Sequence, residues 1–547
     1  MIQSNNHTVW WKHGVFYHIY PRSFYDSNND GIGDIRGIIR KLEYLSELGI
    51  SAIWISPLYQ SPMHDFGYDI SDYRTIDPVF GDLEDFRSLL REAHERGIRI
   101  IMDLVMNHTS VEHPWFIESC SSRDNPKRDW YIWRDGLFRG KPNNWRSAFG
   151  SSAWEYDKPT GQYYLHSFLK EMPDLNWRNK ELRNTYFKEV RFWLDLGVDG
   201  FRLDVINMIV KDKKFRNNPL FFGIPWIQKH VYTRNRPKSI RITHLLRKLL
   251  DEYVDRMCVG EIYSLPPGDP ARSAGYLGSG DDAINLAFDF SLMFQPWNAR
   301  KVCACLTTWY DHIPVNGWAC NVLSNHDLFR SNSRFGKKKN FYEKSKLLAV
   351  LLLTVKGTPF IYYGEEIGMT NGRLTKKQIV DPLGKKFWPL FKGRDRARTP
   401  MQWTPGKNAG FSEASPWLPV NPEFPELNVE TESSDPASLL NLYRQLIRLR
   451  NETETLQSGD WVPLIKGGNG ILAFLRILGD DSVLVLLNFR NKISKIFLPI
   501  PSNGNVLVST HRVEGSNFKS LEDRLFPYEA IAVRLNDTRP ESHKPFS

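Results

Sequence analysis

The sequence predicts an α/β fold: a (β/α)8 TIM barrel with a subdomain inserted after strand 3 and a C-terminal antiparallel β-sandwich. Three observations predict it. Amphipathic helices that stop at a glycine are repeatedly followed by short apolar strands. That rhythm breaks once, over His108 to Trp177, a stretch rich in Trp, Asn, Ser and Gly with no helical period. From about Thr455 it gives way to short strands, such as Gly470 to Ile477 and Ser482 to Phe489, separated by turn residues.

Taken in order, Gly14 to Tyr20 reads as the first strand. Ile35, Ile38, Ile39, Leu42, Leu45 and Leu48 keep helical spacing up to Gly49, and Ser51 to Pro57 is the next strand. Leu83, Phe86, Leu89, Leu90 and Ala93 repeat the pattern up to Gly97, before the strand Ile98 to Val105. The helix Lys180 to Leu196 ends at Gly197, and Val198 to Val205 follows. Met257 to Ile262, Ala283 to Phe290 and Trp318 to Ser324 are further apolar strands. Lys344 to Lys356 ends at Gly357, ahead of Phe360 to Tyr363. Glycine at such exits supplies the left-handed residue that terminates a helix. Eight buried strands alternating with helices over about 450 residues fit a closed parallel barrel. An open doubly wound sheet fits less well, because no Gly-rich dinucleotide turn follows the first strand. The barrel then takes residues 1–107 and 178–454, the inserted subdomain 108–177 and the sandwich 455–547. Thr370 to Ser434, rich in Pro, Lys and Trp, reads as a long loop after strand eight.

The chain has 547 residues, 41% hydrophobic and 24% charged, which excludes long disorder and collagen-like repeats. Its aromatic share of 13% suits stacking on flat apolar faces, sugar rings included. Lys and Arg number 72 against 62 Asp and Glu, a balance of +10. The basic residues are scattered; the densest run, Lys337-Lys338-Lys339, reads as a solvated loop, and no helix-turn-helix or finger appears, so nucleic acid is not an expected partner. Cys120, Cys258, Cys303, Cys305 and Cys320 are irregularly spaced and odd in number, as expected of reduced thiols in the cytoplasm. Met1 to His7 has no signal pattern, and the longest apolar stretch, Leu347 to Val355, is far short of a membrane span. The expected state is a monomer without an organic cofactor.

The informative residues sit where strands end. Asp103, Asp204, Glu261, and the pair His326-Asp327 all fall at strand exits, with His108 just beyond one. In a barrel those exits converge on one face. Acids with histidines can hold a metal or run acid–base and nucleophilic chemistry. The close histidine spacing of metal hydrolases is absent, whereas two carboxylates facing one bond suit glycoside hydrolysis. Arg202 shares a strand face with Asp204 and is expected to lower its pKa, keeping a nucleophile ionised. Glu261 closes an apolar strand, where a raised pKa would make it a proton donor.

The segments Asp103-Leu104-Val105-Met106-Asn107-His108, Gly200-Phe201-Arg202-Leu203-Asp204, Val259-Gly260-Glu261 and Leu323-Ser324-Asn325-His326-Asp327 resemble glycoside hydrolase family 13, the α-amylase family. Met172-Pro173-Asp174-Leu175-Asn176 and Gly364 to Met369 add to the likeness, and Arg394 to Trp403 points within it to the oligo-1,6-glucosidase and α-glucosidase group. The resemblance spans nearly the whole chain. It implies Asp204 as nucleophile, Glu261 as general acid/base and Asp327 as the third acid, which grips sugar hydroxyls and stabilises the transition state. It implies Asp65, Tyr68, His108, Arg202, His326 and Arg398 around the non-reducing-end glucose. Phe149 reads equally as pocket wall or as subdomain core. The implied activity is a retaining, exo-acting α-glucosidase on short oligosaccharides, working through a covalent β-glucosyl–enzyme.

Val205, next to the nucleophile, goes in similar enzymes with α-1,6 bonds and threonine with α-1,4 bonds; as a residue alone, valine is also simply a good strand former. The alternatives are an α-1,4-glucosidase, a sucrose-converting transglucosylase and, more distantly, a non-catalytic amylase-like binding protein. The chain departs from the group's pattern at Met172, where Gln is usual, and at Leu328-Phe329, where Gln-Pro is usual. The basic segment Lys211 to Ser239 is a further departure, and all three bear on the aglycone side. Asp26, Asn28, Asp30, Ile32 (through its backbone oxygen) and Asp34 alternate along one loop, a pattern that suits a hard cation or an Asn/Asp/Gly turn. The loop resembles one that binds calcium in this group, which implies a structural Ca²⁺.

Overall fold

The computed structural model describes residues 9–137, 140–221, 224–264, 268–335, 340–498, 503–520 and 522–536. The readings of Met1 to His7, of Lys337 to Lys339 and of the last residues of the 455–547 unit lie outside the described residues.

Eight strands run parallel: β1 Phe16–Ile19, β2 Ala52–Ile55, β3 Arg99–Leu104, β4 Gly200–Leu203, β5 Met257–Glu261, β6 Leu286–Phe288, β7 Cys320–Val322 and β8 Thr358–Tyr362. Their order is β6-β5-β4-β3-β2-β1-β8-β7. Strands β6 and β7 meet through a side chain: the Cys320 thiol donates to the Ala287 carbonyl at 3.3 Å. Both are shorter than the apolar runs around them, Ala283 to Phe290 and Trp318 to Ser324, because each is laddered on one side alone.

Alternation along the strands separates two cores. Phe16, Ala52, Trp54, Ile101, Val259, Phe288 and Phe360 fill the barrel interior. Tyr17, Ile53, Ile100, Phe201, Cys258 and Ile361, one residue out of phase, pack against the surrounding helices. The ring of Phe360 lies 4.5 Å from Phe16 and 4.8 Å from Phe288, flooring the barrel beneath the polar layer. Gly49 (φ 86°) and Gly197 (φ 114°) end their helices in the left-handed region, as their positions predict. The expected helix over 35–48 is instead two, Ile35–Arg40 and Leu42–Leu48, broken at Lys41, whose ammonium sits 4.4 Å from the Tyr25 ring and 4.2 Å from that of Trp403.

After β3 the chain forms a three-stranded antiparallel sheet of Trp133–Arg134, Gln162–Leu165 and Trp154–Asp157, with Trp145, Trp154 and Leu165 in a small core of its own. Near the C-terminus, a six-stranded antiparallel sheet begins at Asp460–Lys466, and Ser494–Lys495 pairs with Arg524–Leu525 in a second, two-stranded sheet. Leu472, Phe474, Val483 and Val485 face the barrel, while Ile471, Ala473, Leu484 and Leu486 form a separate core on the other side. Two fully buried arginines, Arg476 from the sheet and Arg450 from the helix Leu439–Glu452, line the junction with the barrel. Arg450 donates to the Leu353 and Gly357 carbonyls (3.1 and 2.7 Å), and Arg476 donates to that of Thr354 (2.8 Å). Leu353 and Thr354 end the helix Phe341–Thr354, so the arginines satisfy carbonyls that a helix C-terminus leaves open. The segment after β8 is not a plain loop: it carries helices Pro382–Phe387 and Val429–Ser434 and folds back on the inserted subdomain, where Lys386 Nζ donates to the Phe149 carbonyl at 2.5 Å. No helix among the described residues is long and apolar enough to cross a membrane.

Phe360→Ala empties the centre of the barrel floor. A loss of about 3–5 kcal/mol is expected, read as a lowered midpoint in denaturant unfolding; a shift equivalent to less than about 1 kcal/mol would contradict a tightly packed interior.

Candidate active site

Period-two alternation carries the inward faces of β3, β4 and β5 upward from apolar to charged residues. Ile101 is followed by Asp103, Gly200 by Arg202 and then Asp204, and Met257 and Val259 by Glu261. Asp103 lies in register with Arg202, and Arg202 with Val259. The guanidinium therefore rises between carboxylates. Its Nη1 donates to Asp103 Oδ1 (2.6 Å) and Asp204 Oδ1 (2.8 Å), and its Nη2 to Glu261 Oε2 (2.5 Å). Asp103 is fully buried and is held further by Trp54 Nε1 and the Tyr68 hydroxyl, both 3.1 Å from its Oδ2. The chain turns sharply after Asp204: Val205 has φ 35° and ψ 43°, costly for a β-branched residue, and its N–H donates to Glu261 Oε2 at 3.3 Å.

The third acid arrives from the exit of β7. Asp327 Oδ1 accepts from Arg398 Nη2 (2.9 Å) and Arg394 Nη1 (3.4 Å), and its Oδ2 lies 3.2 Å from His326 Nε2. The same imidazole nitrogen is 2.8 Å from the Tyr68 hydroxyl. Arg394 also donates to Asp65 and, at 2.7 Å, to Asp381, so it links the segments after β2, β7 and β8. His108 donates from Nε2 to the Tyr68 carbonyl (3.2 Å). Its other nitrogen takes a bond from Asn107, whose amide also donates to Asp174 Oδ1 at 3.0 Å.

Burial raises the pKa of Glu261, against the pull of Arg202, as its apolar strand predicts. Asp204 differs from expectation. Burial, together with the charges of Glu261, Asp103 and Asp327, lifts it well above the ordinary carboxylate range, although Arg202 opposes the rise. The reason is stoichiometric: one guanidinium serves three carboxylates, so its share at Asp204 cannot offset desolvation and like charge. For Asp327, burial acts upward but His326, Arg394 and Arg398 outweigh it and hold the acid well below its usual value. Its side chain is also 31% exposed, and water favours the same ionised form. Burial lowers His326 to about 3 and His108 to about 4, which leaves two neutral imidazoles able to donate to and accept from hydroxyls.

Of the residues singled out from sequence, Asp65, Tyr68, His108, Phe149, Asp204, Val205, Glu261 and Asp327 line one cleft. Arg202, His326 and Arg398 are almost fully buried behind that lining and act through the carboxylates they hold. Phe149 is both wall and core: it is buried, borders the cleft and packs edge-on against Phe168 at 6.4 Å. Sequence reasoning missed Arg394, Asp381, Arg234, Tyr263, Phe290 and Phe391. The repeated arginines of Arg394-Asp395-Arg396-Ala397-Arg398 were a signal for the first. Nothing local marks the others.

The calcium candidates lie on a separate loop. Asp26 Oδ1 accepts from the N–H groups of Asn28 and Asn29, Asp30 Oδ1 from that of Ile32, and Asp34 Oδ1 from that of Gly37. The donor set is all hard oxygen, as a divalent cation needs, and each oxygen of the three carboxylates also accepts a hydrogen bond from the same segment. No three His, Cys, Asp or Glu side chains among the described residues converge as a metal-binding set, so an ion here would depend on the Asn28 and Ile32 oxygens as well.

Residues 18–459 match the family described as alpha amylase, catalytic domain. The chain is 43% identical to an oligo-1,6-glucosidase of Parageobacillus thermoglucosidasius, over 96% of this chain and 99% of that protein. It is similar in structure to the α-glucosyl transfer enzyme XgtA (36% identity, TM-score 0.89, 97% of this chain and 100% of the other). It is likewise similar to the isomaltulose synthase SmuA from Protaminobacter rubrum (36% identity, TM-score 0.88, 96% and 99%).

Glu261→Gln removes the carboxyl group expected to act as proton donor. Turnover of an α-glucoside with an alcohol leaving group should fall by about 10²–10⁴-fold, and that of α-glucosyl fluoride, which needs no protonation, far less. Equal losses on both substrates would argue against these roles.

Proposed function

The chain belongs to the α-amylase family of glycoside hydrolases, and from that premise we propose a retaining, exo-acting α-glucosidase that prefers α-1,6 bonds in short oligosaccharides. The observation that carries the reading is the shared guanidinium: Arg202 holds Asp204 and Glu261 on its two terminal nitrogens at one end of the cleft. Two carboxylates bridged by one guanidinium at a single cleft suit a nucleophile and acid pair that acts on one bond. Asp204 attacks the anomeric carbon as Glu261 gives its proton to the leaving oxygen. The glycosidic bond breaks and a β-glucosyl ester forms. Glu261, now ionised, takes a proton from water, whose oxygen attacks the same carbon, and glucose leaves in the α configuration with Asp204 restored.

Exo action is supported by the bonds from Arg394 to Asp65, Asp381 and Asp327, which join three chain segments into a wall at the cleft. Tyr68 and His108 line the cleft beside it, with the neutral His326 held behind them against Tyr68 and Asp327. The α-1,6 preference is supported by the apolar Val205 in the cleft lining and by the similarity to an oligo-1,6-glucosidase. Sucrose conversion by transglucosylation is the second reading, favoured by the similarity to isomaltulose synthase SmuA. The five unpaired cysteines support a reducing, cytoplasmic location. A structural Ca²⁺ on the Asp26–Asp34 loop completes the proposal; it would neutralise the loop and order it, with no part in the chemistry.

Glucose release from isomaltose, maltose and sucrose, with Asp204→Asn as the blank, tests the reading. Isomaltose is expected to lead; a lead by maltose or by sucrose transfer products would overturn the linkage. Val205→Thr adds one hydroxyl, worth about 0.5–1.5 kcal/mol, and should shift the maltose-to-isomaltose ratio of kcat/KM upward by roughly 2- to 12-fold. For the metal, a chelator should lower Tm and added Ca²⁺ restore it, while an unchanged Tm in both arms would remove the ion from the loop.

A further inference from the structure

We propose that the basic segment after β4 helps to build an anion site, separate from the cleft, that takes a phosphate monoester the size of a sugar phosphate or a nucleotide. A cavity of about 540 Å³ lies where the inserted subdomain meets that segment. The size suits a small organic ligand and exceeds what a bare inorganic ion needs. The cavity shares no lining residue with the cleft that holds Asp204 and Glu261. The subdomain contributes Arg128 and Arg134, the basic segment contributes Lys213, and Arg178 enters from the turn before the helix Lys180–Leu196.

These cations lack counter-charges. Arg128 donates to the Ser119 carbonyl (2.8 Å), Thr160 Oγ1 (2.9 Å) and Gln162 Oε1 (2.8 Å), all neutral acceptors, and its buried Nε has no partner among the described residues. Arg134 and Arg178 donate to the backbone carbonyls of Trp133 (3.1 Å) and Lys211 (2.7 Å). The acids nearby are used elsewhere: Asp135 pairs with Arg123, and Asp212 with Arg216 and Arg236. Asp129, also in the lining, accepts from the side-chain amides of Asn176 and Asn179. Burial lowers the pKa of Arg128, Arg134 and Arg178, as it does for a cation without a paired anion.

Like charge also crowds the rim. Burial, and then the charges of Arg178, Arg183, Arg241 and Lys213, lower the pKa of Lys238. Lys238 stands in the first turn of the helix Pro237–Leu250, which has no acid there and no side-chain cap. A basic residue at a helix N-terminus opposes the dipole, and a bound anion relieves that conflict. A phosphate monoester carries close to two negative charges and three acceptor oxygens at pH 7, enough to answer several separate cations, which a single carboxylate is not. Phe215 and Ile132 add apolar wall for the ester group. The floor is fixed in advance: Lys211 lines the cavity, and its buried ammonium is held by Asp174 and Asn107 (2.7 Å each). A site that needs little ordering loses less on binding.

Isothermal titration of the full chain with glucose 6-phosphate, AMP and inorganic phosphate, each with saturating glucose to fill the cleft, tests the site. One equivalent of an ester is expected to bind, roughly tenfold or more tighter than inorganic phosphate, and more weakly as salt rises. The tighter of the two esters identifies the source as sugar phosphate or nucleotide. Arg178→Gln should weaken binding roughly tenfold or more, with Arg178→Lys recovering part of it, and Lys213→Gln roughly threefold or more with Tm unchanged. No binding of either ester, binding that glucose displaces, or binding undiminished in both Gln variants overturns the site. Equal affinity for inorganic phosphate overturns the ester as its ligand. Retention on heparin without binding of the small phosphates overturns an enclosed site in favour of an open polyanion surface.

Discussion

A single guanidinium inside the barrel organises everything above it. Arg202 is 1% exposed and meets Asp103, Asp204 and Glu261 at hydrogen-bond distance. A buried arginine without acceptors for its donors would be severely destabilising, and three buried carboxylates without a cation could not all ionise. Each side requires the other, and the geometry that satisfies both exists only where β3, β4 and β5 lie in parallel register. The charges do not balance, and that imbalance is chemically useful. Burial and shared charge raise the pKa of Asp204 and Glu261, whereas His326, Arg394 and Arg398 hold Asp327 below its usual value. Environments that push neighbouring acids apart in this way are what divide proton donor from permanent anion.

Around that centre, loops far apart in sequence are fixed by buried polar contacts more than by apolar packing. Asp174 takes bonds from Asn107, Ser167 and the buried Lys211, so the inserted subdomain hangs on the exits of β3 and β4, and His108 is positioned as a consequence. Arg394 performs the same task across the cleft, between the segments after β2 and β8. At the other end of the molecule, Arg476 joins the C-terminal sheet to the barrel through the Thr354 carbonyl, and Arg450 binds carbonyls beside it. Irregular backbone lacks internal partners, and a long cationic side chain with several donors is an efficient substitute.

Much of this was legible before any coordinates. The helix-glycine-strand rhythm predicts four barrel strands and further apolar runs the other four, and acids at the strand exits predict the face where the site lies. Strand lengths at β6 and β7 were not legible, because an apolar run extends past the residues that find a hydrogen-bonded neighbour. Nor was the break at Lys41, whose ammonium lies over the rings of Tyr25 and the distant Trp403. Arg234, Tyr263, Phe290 and Phe391 carry no local mark; they belong to the cleft only because separate loops deliver them there.

The sequence by itself determined which residues face inward, where helices stop and which acids sit at strand exits. These follow from steric rules that act over a few residues: the two-residue alternation of a strand, the helical turn, the freedom of glycine. The tertiary structure alone decided how many carboxylates share Arg202, and so reversed the expected direction for Asp204. It also decided that Asp65 meets Arg394, 329 residues away, and that the cleft opens between exposed aromatic rings. A protonation state or a pocket wall sums interactions over everything within a few ångströms, whatever its place in the chain, and no local pattern contains that sum.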